Sequence, residues 1–288
     1  MAVHAHPDDE SSKGAATYAY YAHRGVQVQI VSCTGGERGD VLNDGLENRA
    51  MAERDLPGLR RLEMAAAQAV MGVDHRWLGF QDSGMAREDG TVPPNSFADI
   101  PLEISAEPLV RLIREFKPQV LVTYDENGGY PHPDHIRCHE VSLEAYRAAA
   151  DPARYPGDGE PWQVSKLYYD RIFNAQRMRS VYNLLKETDP ESPLLEEFTK
   201  MRRWADDSPD LATTKVPSGD FFPARDAALR SHASQVSPDS SFFFWPDDLQ
   251  LRAWPYEDYQ LVDSKVETTM PESDLFAGIE DAGIEGEA

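Results

Sequence analysis

Residues Val120 to Tyr124 read VLVTY, a run without alternation of apolar and polar residues. A strand of this kind is covered on both faces, as happens in parallel sheets with helices on each side. Parallel strands need crossover connections, and the chain supplies them before this run. A short apolar opening, AVHA, is followed by a helical pattern and then by the β-rich VQVQIVSCT, Val26 to Thr34. After the Gly-rich loop GGERGD comes a helical stretch, LRRLEMAAAQAVMG, that stops at Gly72, and then the strand candidate RWLGF, ending at Phe80. The stretch from Gln81 to about Pro101, with TVPPN inside it, is a candidate lid or binding loop. A helix near Glu107 to Phe116 leads through KPQ into VLVTY, and another is expected from about His135 to Ala150. The expected fold class is therefore α/β: a Rossmann-like, doubly wound, mostly parallel sheet in residues 1–150, with a smaller C-terminal α/β part in 151–265. That second part follows the Pro/Gly-rich DPARYPGDGEPW and holds the strand candidate KLYYDRIF. Residues 266–288, acidic and rich in small side chains, are expected to form a disordered tail. The opening run is short for a central strand of about five residues, so the natural start is expected upstream.

A length of 288 residues suffices for one large α/β domain with an appendage. No run approaches the roughly 18 consecutive apolar residues of a membrane span, and MAVHAHPDDE lacks the basic and apolar regions of a signal peptide. The formal net charge of −22 repels nucleic acid and anionic membranes, so neither is expected as a partner. Cys33 and Cys138 are too few for a disulfide framework and fit a reducing compartment, so a cytoplasmic protein is expected.

In doubly wound sheets, function gathers at the carboxyl ends of strands, where the strand order reverses. Two expected strands end in clusters of His and Asp: HPDDE after the first, and YPHPDH after VLVTY. If those strands are neighbours, as strands one and four are in the common order, the clusters face each other. Carboxylates packed this closely repel, and a buried ionised group is costly unless it is paired or holds a metal. His6 and Asp9, three apart with a proline between, make two ligands for a zinc-type ion. Asp8 would compete as a ligand unless it serves as general base. A catalytic zinc commonly takes three protein ligands and keeps one position open, so His132, His135 or His139 would complete the set. His135 sits where the helix should begin; Asp134 is placed to orient His132, and Tyr130 offers a hydroxyl to an oxyanion.

A lone His or Asp at a loop end is ordinarily a surface or capping residue, and Asp8 or Asp9 alone could cap the next helix. Two clusters closing strands on one sheet edge are hard to explain that way. A structural zinc site would want four Cys/His ligands, and no Cys-x-x-Cys pair occurs. A dinucleotide-binding protein would show G-x-G-x-x-G after the first strand, and none is there.

AHPDDE with Gly14 behind it, TGGERGD, WLGFQDSGM, VTYDENGGYPHPDH and SHASQV together resemble the zinc amidohydrolases related to N-acetylglucosaminyl-phosphatidylinositol deacetylase. The likeness reaches DLFAGIE at 274–280, nearly the whole chain. HPDDE marks only the superfamily; the later blocks narrow the likeness to its mycothiol branch. The resemblance implies one Zn2+ per chain held by His6, Asp9 and His135, although Fe2+ also suits such N/O donors. It implies Asp8 as general base, His132 backed by Asp134 as the acid or charge-stabilising dyad, and Tyr130 as the oxyanion donor. Arg60, of an Arg-x-x-Glu pattern, and Asp82 of DSG would hold the inositol end of the substrate. Lys13 would contact the cysteinyl conjugate, and Glu37, in a loop at the same face, could bind sugar hydroxyls. The implied substrate is a small-molecule thiol conjugate: the amide between glucosamine and the S-conjugated N-acetylcysteine of mycothiol is cut to a mercapturic acid and glucosaminyl-inositol. The alternative is removal of acetate from N-acetylglucosaminyl-inositol by the same residues. His232 in SHASQV is shared with the family without an assigned role. Residues 41–59 and 174–220 hold no pattern tied to chemistry and are where substrate preference could be set.

Overall fold

The computed structural model describes residues 1–206 and 209–280. Strands β1 (Ala2–His4), β2 (Gln29–Thr34), β3 (Asp74–Phe80), β4 (Val120–Thr123) and β5 (Lys166–Asp170) are parallel. Strands β6 (Thr214–Val216) and β7 (Glu257–Ser264) complete the sheet, β7 running antiparallel to both β5 and β6. The order across the sheet is β3-β2-β1-β4-β5-β7-β6. The chain winds outward from β1 to β3, then returns past β1 to β4 and continues on the other side. That reversal puts the ends of β1 and β4 side by side, which is the crevice where doubly wound sheets place their chemistry.

The helices are α1 (Asp9–Ser12), α2 (Ala15–His23), α3 (Arg49–Met71), α4 (Leu102–Phe116), α5 (Pro133–Ala148), α6 (Ala175–Thr188), α7 (Leu194–Asp206), α8 (Phe222–Ser231) and α9 (Asp247–Ala253). The two-residue period of the strands divides the core between two faces. Val3, Val31 and Leu121 pack with Leu109 and Ile113 of α4 and Val141 of α5. Ala2, Ile30 and Val122 pack on the opposite face with Tyr18 of α2 and Met64 of α3. His4 belongs to the strand: its ring nitrogens lie 3.2 Å from Tyr124 Oη and 3.0 Å from Tyr18 Oη. Burial lowers its pKa to about 4, so it stays neutral in the core.

Several boundaries differ from those expected. Helix α3 begins at Arg49, upstream of LRRLE, because Pro57 interrupts the pattern; the helix kinks at Asp55, where φ is −155° and ψ 74°. It ends where expected, with Gly72 in the left-handed conformation (φ 71°) donating to Gln68 O. Helix α5 starts earlier, at Pro133, since His132 caps it: Nδ1 accepts the Asp134 N–H at 3.1 Å, and proline fits the first helical position. The loop 81–101 is tethered near both ends, with Phe97 fully buried and stacked on Phe80. Of residues 266–280, placed with the acidic tail on composition, Glu272 and Leu275 are buried. Glu272 accepts from Lys166 Nζ and from Tyr168 Oη (2.9 Å), and Leu275 lies in the core against α2. The buried partner of Glu272 lies 106 residues away, beyond the reach of local composition. The remainder of that tail, 281–288, lies outside the described residues. Among the described residues no helix is long and apolar enough to cross a membrane.

Candidate metal centre

The chain leaves β1 through His6 and turns at Asp8, whose φ of 101° is unusual for a non-glycine residue. Four hydrogen bonds hold this turn. The Asp8 N–H donates to Glu10 Oε2 (2.9 Å), the Asp8 carbonyl accepts from Ser11 and Ser12 at the start of α1, and Arg60 Nη2 donates to Asp8 Oδ2 (2.9 Å). Asp9 is thereby aimed back at the strand ends. Its Oδ2 accepts the His6 backbone N–H at 3.0 Å and lies 3.3 Å from His135 Nε2 and 3.6 Å from His6 Nδ1.

His135 arrives from the other cluster, in the first turn of α5. Its Nδ1 donates to Gly128 O at 2.9 Å and its ring stacks on Tyr124, with centroids 4.7 Å apart. Gly128 has φ 71°, and a Cβ there would stand 2.5 Å from His135 Cβ, so only glycine lets the loop come this close. With the proton on Nδ1, the lone pair is on Nε2, a buried atom with no hydrogen-bond partner. His6, Asp9 and His135 each offer a ligand atom within 4.8 Å of the others. One carboxylate and two imidazoles are the N/O donors of a catalytic zinc-type site, and the orphaned Nε2 is what a bound cation would satisfy. The residues fit a metal ion.

The group is densely charged. Burial disfavours charge on His6, yet Asp134, Asp82 and Asp9 around it raise its pKa well above the ordinary value. Burial works against the Asp9 carboxylate, but His135, Lys13 and His6 hold it well below the usual range. Burial pushes Asp8 upward, with Arg60 opposing. Lys13 lies one helical turn after Asp9 and donates to Asp9 Oδ1, its ammonium 5.3 Å over the Tyr124 ring. Tyr130 is half exposed, with its ring edge on His135 at a centroid distance of 4.4 Å.

Asp134 is placed differently from the expected dyad. Its Oδ2 lies 3.2 Å from His6 Nε2 and accepts the Ser83 N–H at 2.9 Å, while its backbone N–H is what meets His132. Since His132 Nδ1 accepts that bond, the ring proton is on Nε2. His6, His132 and Asp134 form a second group within 4.8 Å, sharing His6 with the first. His139 is turned away, its Nδ1 3.0 Å from Tyr124 O.

Arg60, Asp82 and Glu37 come together on the β2 and β3 side of the group, engaged with protein atoms. Arg60 is buried and also donates to Pro7 O (2.5 Å) and Gly36 O (3.1 Å). Asp82 accepts from Arg38 N (3.0 Å) and Gly84 N (2.7 Å), and Glu37 accepts from Asp82 N (2.9 Å). Sequence reasoning missed the clamp behind this loop. Glu10 Oε1 is 2.7 Å from His232 Nε2, both residues being fully buried. Burial would raise the Glu10 carboxyl, but His232 draws it down to about 2. Glu63, one turn after Arg60, accepts from the Ser234 N–H and Oγ at 2.7 Å each. SHASQV thus braces HPDDE, and the only sign of it in the sequence was the family likeness of that block. Asp170, at the carboxyl end of β5, was also missed; burial pushes it up to about 7 against Lys13 and Arg171.

A cavity of about 1060 Å³ opens over the group. Asp8, Asp9, Lys13, Tyr130 and Asp170 line its near end.

A family model described as GlcNAc-PI de-N-acetylase, PIG-L, matches residues 1–146. The mycothiol S-conjugate amidase of Streptomyces coelicolor is 47% identical over 287 residues, covering 98% of this chain and 97% of that protein. The 1D-myo-inositol 2-acetamido-2-deoxy-alpha-D-glucopyranoside deacetylase of Streptomyces scabiei is 39% identical, covering 97% of this chain and 89% of its own. Among solved structures, the N,N'-diacetylchitobiose deacetylase of Pyrococcus horikoshii shares the fold with a TM-score of 0.59 at 18% identity, covering 91% of this chain and 82% of that one. By the family match and these whole-chain likenesses, the chain belongs to the PIG-L, or GlcNAc-PI de-N-acetylase, family.

Proposed function

We propose that the protein is a zinc-dependent amidase that cuts the amide between glucosamine and the S-conjugated N-acetylcysteine of mycothiol, releasing a mercapturic acid and glucosaminyl-inositol. Its family and its relatives make it a hydrolase of amide bonds. The observation that carries the reading is the convergence of His6, Asp9 and His135 beside Asp8 at one end of a cavity of about 1060 Å³, far larger than an acetyl group needs. The free thiols of Cys33 and Cys138 agree with a reducing, cytoplasmic setting.

His6, Asp9 and His135 would hold the ion, which would supply polarisation of the amide carbonyl and a lowering of the pKa of water from about 15.7 toward 7. Asp8 takes the proton of the attacking water on Oδ1, the oxygen that Arg60 leaves open. Tyr130 donates its hydroxyl to the developing oxyanion. The proton that Asp8 takes passes on to the departing glucosamine nitrogen, while His132 offers its Nε2–H to the developing charge as a hydrogen bond, and Asp134 and Asp82 flank His6. Lys13 lines the cavity beside Asp8 and Asp9, Arg60 positions Asp8, and Asp82 and Glu37 brace the loops behind it.

Side-by-side turnover of a bulky mycothiol conjugate and of N-acetylglucosaminyl-inositol tests this reading. The expected result is a kcat/KM for the conjugate at least roughly 10-fold higher, the scale on which pocket contacts discriminate. Faster deacetylation would make the protein the sister deacetylase.

A further inference from the structure

Beyond the metal group the cavity changes character. Its near end is charged: Asp125 accepts from Arg171, and Asp170 has no side-chain hydrogen bond among the described residues. The far wall is largely apolar, built from Phe173, Met178, Met201, Leu211, Phe242 and Phe243, with Glu197 and Lys200 of α7 beside Met201. Phe173 and Phe242 stack with centroids 5.5 Å apart and planes at 20°, and Phe243 stands perpendicular to Phe242. Phe242 is 43% and Leu211 41% exposed. Water-facing aromatic surface gathered on one wall of a cavity marks a ligand site. An acetyl group at the metal end would leave this wall empty. The wall comes from segments after β5, in α6 and α7, and ahead of α9, within and beside the stretch that carried no chemical pattern in the sequence.

We infer that this wall is the subsite for the substituent on the substrate's sulfur, and that it selects flat, aromatic substituents. The inference rests on the amidase reading above. Aromatic rings favour offset stacking and edge contacts with a flat guest, and the two methionines at its margin adapt to guests of different outline. The scissile amide and the thioether are only a few bonds apart in an N-acetylcysteine conjugate. A substituent can therefore lie on the far wall while the amide reaches His6 and Asp9.

The test is a series of conjugates with S-methyl, S-benzyl and S-naphthylmethyl groups, turned over by the wild-type enzyme and by Phe242→Ala and Leu211→Ser. Both side chains are exposed enough that truncation leaves the core intact. In the wild type, kcat/KM should rise from methyl to naphthylmethyl by about 10- to 100-fold, and each variant should reduce that rise by roughly 10-fold, through KM. A flat series in the wild type, or a rise that both variants leave unaltered, overturns the subsite while the amidase reading stands. If no conjugate is hydrolysed, both fall.

Discussion

Replacing Asp8 with asparagine is expected to remove most turnover, on the order of 100- to 10,000-fold in kcat, and to leave the metal in place. Asparagine keeps the size of the side chain and can still accept from Arg60 through its amide oxygen, so the turn at φ 101° has the same support. It cannot take a proton from water. The three residues offering ligand atoms are untouched. Steady-state kinetics paired with elemental analysis of the purified variant reads both halves. Near wild-type turnover at full metal content would remove Asp8 from the role of base.

The second large effect is at His135. Alanine there deletes the donor that comes from the α5 side and leaves His6 and Asp9, which come from one loop and cannot enclose an ion alone. Metal content after dialysis should fall to background, and the affinity loss should exceed the roughly 10- to 100-fold that removal of an outer partner costs. The bond from Nδ1 to Gly128 O disappears as well, which loosens the loop that carries Tyr130. The helix should persist, because its cap is His132 and its buried face is that of Cys138 and Val141. Retention of a full metal complement by His135→Ala would contradict the ligand assignment, whatever its activity.

What could be seen in the sequence had local causes. The unalternating VLVTY announced a strand covered on both faces, and the observed neighbourhood of β1 and β4 follows from the ordinary winding of such a sheet. HPDDE and HPDH stood out because so much charge on so few residues needs compensation. What stayed hidden depends on partners far away in the chain. Glu10 and His232 are 222 residues apart, and neither is conspicuous in isolation. Arg60 was placed on substrate by analogy, whereas in the structure its guanidinium holds Asp8 and two backbone carbonyls. Asp134 follows His132 by two residues, yet its carboxylate meets His6, because the helix that His132 caps turns it toward β1. The aromatic wall is gathered from Phe173, Leu211 and Phe242, three segments with no shared period, so no scan along the chain could assemble it.

The most direct measurement is titration of the metal-stripped protein with Zn2+ while hydrolysis of an S-benzyl mycothiol conjugate is followed. Turnover should return in proportion to the zinc added and level off at a single equivalent per chain. Full turnover in the stripped protein, or none once that equivalent is bound, would contradict a hydrolytic metal centre at His6, Asp9 and His135.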